Sequence, residues 1–140
     1  MQLKDYQIKT LETVKGYLKA VDKERQEGNI KHASLDAWEK WGKGEYIERK
    51  NGLGQDTPNF CLKIPTGGGK TVIFSEITRR FIEETGKKVL ILTHRVELCG
   101  QTHQMLNEFG VVNKIISREV WELPVPNEFM CYVAMVETLN

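Results

Sequence analysis

An α/β fold, with a mainly parallel sheet and flanking helices, is what this sequence predicts. Three observations carry the prediction. From Asn59 onward, short apolar runs alternate with longer amphipathic stretches, the order of strands and helices laid down in turn. A glycine loop, Pro65-Thr66-Gly67-Gly68-Gly69-Lys70-Thr71, separates the first run from the first stretch. Gly86 and Gly110 then stop two of the amphipathic stretches, each shortly before another apolar run. Strands that alternate with helices in this way pair in parallel, in a doubly wound sheet.

The elements follow in order. Residues 5–21 form a helix, because Ile8, Leu11, Val14, Leu18 and Val21 recur at steps of three and four with Lys and Glu opposite. Residues 22–33 are charged and polar and read as a surface connection. Ser34 is placed to cap a short helix carrying Leu35 and Trp38. Gly42, Gly44, Gly52, Gly54 and Pro58 make residues 42–58 a loop or a small hairpin. Asn59–Ile64 reads as the first strand, and Lys70–Glu84 as a helix with an apolar stripe at Ile73, Ile77 and Phe81. The second strand is Val89–Leu92. The next helix is Val96–Phe109, with Leu98, Thr102, Met105 and Phe109 in register. Val111–Ile116 is the third strand and Phe129–Val136 the fourth. Pro124 and Pro126 leave 117–128 as an irregular excursion.

The loop at 65–71 is the most specific chemical signal. Glycines let a backbone curl around phosphates with its N–H groups pointing inward, where side chains would block the approach. Lys70 would reach the β- and γ-phosphates, and the Thr71 hydroxyl would ligate Mg²⁺. Strand, glycine loop and helix N-terminus together set anions against free N–H groups at the positive end of a helix dipole. In G-x-x-x-x-G-K-[ST] the first glycine falls at position 64, which here is Ile64. The alternative is a plain turn with Lys70 solvated.

Other residues say less. Gln7, near the start of the first helix, has the donor and acceptor that an adenine Hoogsteen edge could use; it would also sit well as solvated surface. Thr93-His94-Arg95 closes a strand on the side where open α/β sheets bind ligands. There Thr93 and Arg95 suit phosphate contacts, or else form a capping turn with a surface ion pair. Met135 to Asn140 ends another strand, and alone it is uninformative. His32, His94 and His103 show no metal spacing, and Trp38 with Trp41 reads as a local packing pair.

Composition bounds the rest. The 140 residues allow one domain with a real core, and 40% hydrophobic with 28% charged residues is ordinary for a soluble protein. A net charge of +1 leaves no electrostatic footprint for nucleic acid by itself. Cys61, Cys99 and Cys131 are odd in number and widely spaced, which argues against a disulfide framework or a zinc site and fits a reducing cytoplasm. No apolar stretch reaches transmembrane length.

In this order the motifs resemble the superfamily-two helicases and translocases, and most of all the restriction-enzyme subunit (ResIII-like) branch of the DEAD/DEAH-type ATPases. Leu3-Lys4-Asp5-Tyr6-Gln7 is similar to that group's adenine-reading segment. Pro65 to Thr71 is similar to its motif I, Pro-Thr-Gly-x-Gly-Lys-Thr. Val89 to Gln101 resembles motif Ia, and Val133 to Asn140 the next nucleic-acid-contacting motif. The resemblance implies a partial RecA-like P-loop domain, the N-terminal part of an ATP-binding motor domain over 1–140, with an inserted segment at about 22–58. It implies ATP and Mg²⁺ as cofactors. Gln7, Thr66, Gly67, Gly68, Gly69, Lys70 and Thr71 would hold the nucleotide, and Lys70 and Thr71 would act in catalysis. Thr93, His94, Arg95 and Thr138 would meet nucleic acid, DNA in preference to RNA.

The sequence departs from that pattern in three places. Ile64 stands where the family usually has Ala or Gly. Lys4 replaces an Arg, and an ammonium lacks the guanidinium plane that stacks on adenine. No Asp-Glu-x-His or Asp-Glu-Ala-Asp run occurs, and with it the carboxylates that serve Mg²⁺ and the attacking water are missing. The expectation is therefore the ATP-binding portion of a nucleic-acid-dependent ATPase. It would be silent in hydrolysis alone, and its partner would be a C-terminal motor domain of the parent protein. Rival readings are a stand-alone P-loop nucleotide-binding protein or kinase, and a pure interaction domain.

Overall fold

The structure is a computed structural model that describes residues 2–48, 57–116 and 128–138. The expected loop at 42–58 lies partly outside the described residues, as do nearly all of the excursion at 117–128 and the positions Leu139 and Asn140. The chain divides into two compact units, Gln2–Lys63 and Ile64–Asn140.

Two helices, α1 (Asp5–Gln26) and α2 (Ala33–Trp41), build the N-terminal unit. Thus α2, which the sequence assigns to an inserted segment, packs in the same unit as α1. Leu11, Val14, Tyr17 and Val21 of α1 are buried at the expected spacing, and Tyr17, Val21, Ala33 and Ala37 form a core with Trp38 and Phe60 against it. Ile8 differs from expectation: it is exposed, and Gln7 is buried in its place. Ser34 lies inside α2, whose N-cap is His32. Trp38 meets Tyr17 edge-on at 6.0 Å and donates Nε1–H to the Gly44 carbonyl at 3.0 Å. The Trp41 ring lies against Gly16, where a Cβ would collide with it. Both indoles are packing groups.

The C-terminal unit holds α3 (Lys70–Thr85), β1 (Val89–Thr93), α4 (Val96–Glu108), β2 (Asn113–Ile116), β3 (Cys131–Met135) and a short 3₁₀ turn at Val136–Thr138. Its sheet has the order β1-β3-β2, and both pairings are parallel. Period two assigns the faces. The row Val89, Cys131, Asn113 and the row Ile91, Val133, Ile115 are in register. They meet Cys99, Leu106 and Val111 in one apolar core, and Ile82 of α3 packs on its margin. Asn113 is buried in that core and fully engaged. It contacts His103 Nδ1 at 2.8 Å and donates to Asn107 Oδ1 at 3.0 Å and to the Val111 carbonyl at 2.9 Å.

Two expectations are corrected. Asn59–Ile64 is not a strand: no described backbone pairs with it. Its Phe60 instead packs edge-on against Tyr17 at 5.4 Å, while Cys61, Leu62 and Lys63 stay exposed. An apolar run becomes a strand only when another strand lies beside it. On α3 the buried residues are Ile73, Ser75, Glu76 and Thr78, and Phe81 of the expected stripe is exposed.

Candidate phosphate-binding loop

Pro65 to Gly69 form the turn that leads into α3. The Gly68 N–H donates to the Pro65 carbonyl at 3.0 Å. Gly67 has φ +77° and Gly69 φ +68°, conformations that an L side chain adopts only under strain. Gly69 is also the N-cap of α3, and no side chain caps that N-terminus. The first turn of α3 carries no acidic residue either, so the positive end of its dipole is left to other anions. Lys70 is exposed, and its ammonium donates to the same Pro65 carbonyl at 3.1 Å. Thr66 is exposed on the turn and Thr71 is half-buried at the start of the helix. The chemistry this permits is anion binding by backbone N–H groups, with a mobile cation at the rim.

Gly86 ends α3 in a left-handed turn, its N–H on the Ile82 carbonyl at 2.8 Å. Only Gly86, Lys87 and Lys88 intervene before β1. Thr93 of β1 is in register with Met135 of β3. The turn at 93–95 and the turn at 136–138 therefore leave the sheet on the same side, where open α/β sheets bind ligands.

The sequence-derived nucleic-acid residues divide by exposure. His94 and Arg95 are exposed. Thr93 is buried, and its hydroxyl lies 2.9 Å from Cys99 Sγ and donates to the Arg95 carbonyl at 3.3 Å. The consistent donor order is Cys99 S–H to Thr93 and Thr93 O–H to Arg95, which fixes the turn into α4. Thr138 is buried. Gln7 belongs to the N-terminal unit, where its Oε1 accepts the Lys4 N–H at 2.9 Å and its own N–H donates to the Lys4 carbonyl at 2.9 Å. It closes half of a capping box at the start of α1.

Sequence reasoning missed the carboxylate of Glu76, buried two turns from Lys70 and held by Arg79 and Arg80 at 2.8 and 2.7 Å. The signal was present as a Glu with Arg residues three and four positions on. Among the described residues no group of His, Cys, Asp and Glu side chains could hold a metal ion, and no helix is long and apolar enough to cross a membrane.

A family model for the type III restriction enzyme res subunit matches residues 1–139. No curated protein and no solved structure matches the chain. The parallel sheet with flanking helices is the partial RecA-like arrangement that such a match requires. The chain belongs to the ResIII family, the superfamily-two, helicase-like res subunits of type III restriction enzymes, and is a domain of ATP-dependent helicase or translocase type.

Proposed function

We propose that this chain binds ATP with Mg²⁺ at residues 65–71, as the nucleotide-holding portion of a nucleic-acid-dependent ATPase. The observation that carries the reading is the left-handed pair Gly67 and Gly69 at the uncapped N-terminus of α3. In it the N–H groups of Gly67, Gly69, Lys70 and Thr71 hold phosphate oxygens, while the Gly68 N–H stays on the Pro65 carbonyl. Lys70 exchanges the Pro65 carbonyl for a phosphate oxygen, a stronger, charge-assisted partner. The Thr71 hydroxyl takes a place on Mg²⁺. The nucleotide and its metal supply the phosphoryl chemistry, and these residues bind and orient it. His94 and Arg95, exposed beyond β1, are the proposed contacts to a nucleic-acid backbone, DNA in preference to RNA, with Thr93 and Thr138 buried behind them.

Phosphoryl transfer to water also needs a group that orients the water, and no Asp-Glu pair follows an apolar strand in this sequence. These residues alone are proposed to bind without turnover.

Calorimetry with Mg-ATP tests the assignment. Lys70→Ala should weaken binding by roughly 10- to 100-fold, the loss of one hydrogen bond to a charged group. Lys70 is exposed, so its circular dichroism should match the wild type. Equal affinities would remove the assignment. Phosphate release stimulated by single-stranded or duplex DNA would show that these residues include a catalytic carboxylate.

A further inference from the structure

We infer that Ile64 is a positioning residue for the phosphate loop, and that it, not the backbone, makes glycine necessary at position 68. The inference rests on the phosphate-binding reading above. Three adjacent glycines look alike in the sequence, but the structure separates them. Gly67 and Gly69 have φ of +77° and +68° and need glycine for that reason. Gly68 is not among the residues with positive φ, so its backbone would accept any L residue. What excludes a side chain there is space. A Cβ at position 68 would lie 2.8 Å from Ile64 Cγ2 and 3.0 Å from the Pro65 carbonyl oxygen. The first distance is closer than carbon atoms approach without one of them moving.

Neither neighbour can move freely. Ile is branched at Cβ, so its γ-methyl cannot swing aside without leaving a favoured rotamer. The Pro65 carbonyl accepts both the Gly68 N–H at 3.0 Å and the Lys70 ammonium at 3.1 Å. Pushing on it would open the turn and shift the lysine together. The loop's departure from G-x-x-x-x-G-K-[ST], a branched residue at 64, and the glycine that fills the open position 68 are thus one steric arrangement. The methyl of Ile64 fills the space under Gly68 and braces the turn in its curled form, a contribution to affinity through preorganisation.

A double-mutant cycle on the whole chain, read as Mg-ATP affinity by calorimetry, tests the coupling. Gly68→Ala in the wild-type background should weaken binding about tenfold, 1.4 kcal/mol. With Ile64→Ala alongside, the same change should cost no more than about threefold, the residue of the Pro65 contact. Ile64→Val keeps γ-methyl groups and should give no such relief. Lys70→Ala is run in parallel, and thermal unfolding midpoints are taken for every variant. If the wild type binds, Lys70→Ala does not, and the cycle is additive, this inference falls and the binding site stands. Failure of the wild type to bind overturns both. Coupling that appears only in the midpoints, and not in affinity, also overturns the positioning role.

Discussion

Glu76 is only 4% exposed, and an isolated carboxylate so placed would not remain charged. Its oxygens accept Arg79 Nη2 and Nε, both at 2.8 Å, and Arg80 Nε at 2.7 Å. The Arg79 guanidinium is the main cause that holds the carboxyl below its ordinary value of 4.5; burial opposes it and Arg80 adds to it. A carboxyl whose folded value is depressed takes its proton first in the unfolded chain. The pair therefore stabilises the fold above about pH 4.5, and that stability is lost as pH falls through the lower folded value. Glu76→Gln should cost about 1–3 kcal/mol at pH 7 and flatten the acid limb of a urea-unfolding series between neutral and acid pH. An acid limb unchanged by the substitution would mean that Glu76 is not the linked group.

At the scale of elements, α3 shows what a sequence pattern can and cannot disclose. Its limits were legible, because Gly69 and Gly86 punctuate it on both sides and each adopts a left-handed conformation. Its buried face was legible only in part. Of the stripe Ile73, Ile77 and Phe81, Ile73 is buried and Phe81 is exposed, while Ser75, Glu76 and Thr78 are covered as well, since burial depends on neighbours that are distant in sequence. The same cause removed the strand at Asn59–Ile64 and added Cys99 and Leu106 to the buried face of α4, on which Thr102 and Phe109 lie as expected while Leu98 and Met105 are only half-buried. The glycine turn before α3 needed no distant partner: Gly67 and Gly69, both left-handed, stand in the local run that also carries Lys70 and Thr71. The steric bond between Ile64 and Gly68 was not legible, because no residue type announces it. Ser75 offers a test of burial on α3. Among the described residues its buried hydroxyl has no hydrogen-bond partner, so Ser75→Ala removes a desolvated group and adds a better helix former. The variant should be as stable as the wild type or more stable by up to about 1 kcal/mol. A loss of that size in denaturant unfolding would reveal a partner for the hydroxyl.

For the whole molecule, three free thiols report on the two units separately. Cys61 is exposed in the N-terminal unit, while Cys99 and Cys131 are buried in the sheet unit. Burial pushes the Cys131 thiol up to about 11, so it offers almost no thiolate at neutral pH. A thiol reagent should therefore label one cysteine rapidly in the native protein and all three in denaturant, with mass spectrometry placing the rapid label on Cys61. Rapid labelling of Cys131 would contradict the packing of β3 between its neighbours.

The strand order has a consequence in time. The middle strand of the sheet is the last of the three to be synthesised: Met135 follows Thr93 by 42 residues. At a ribosomal pace of roughly 5–20 residues per second, β1 waits about 2–8 s for the neighbour on which it pairs. Through that interval β2 lacks its neighbour too, because among the described residues each outer strand pairs with β3 alone. The helices of the N-terminal unit close on contacts made earlier in the chain and can settle first. Val89 to Leu92 thus emerge as an apolar ribbon with no lateral partner, and this is the stretch of the nascent chain most in need of a chaperone.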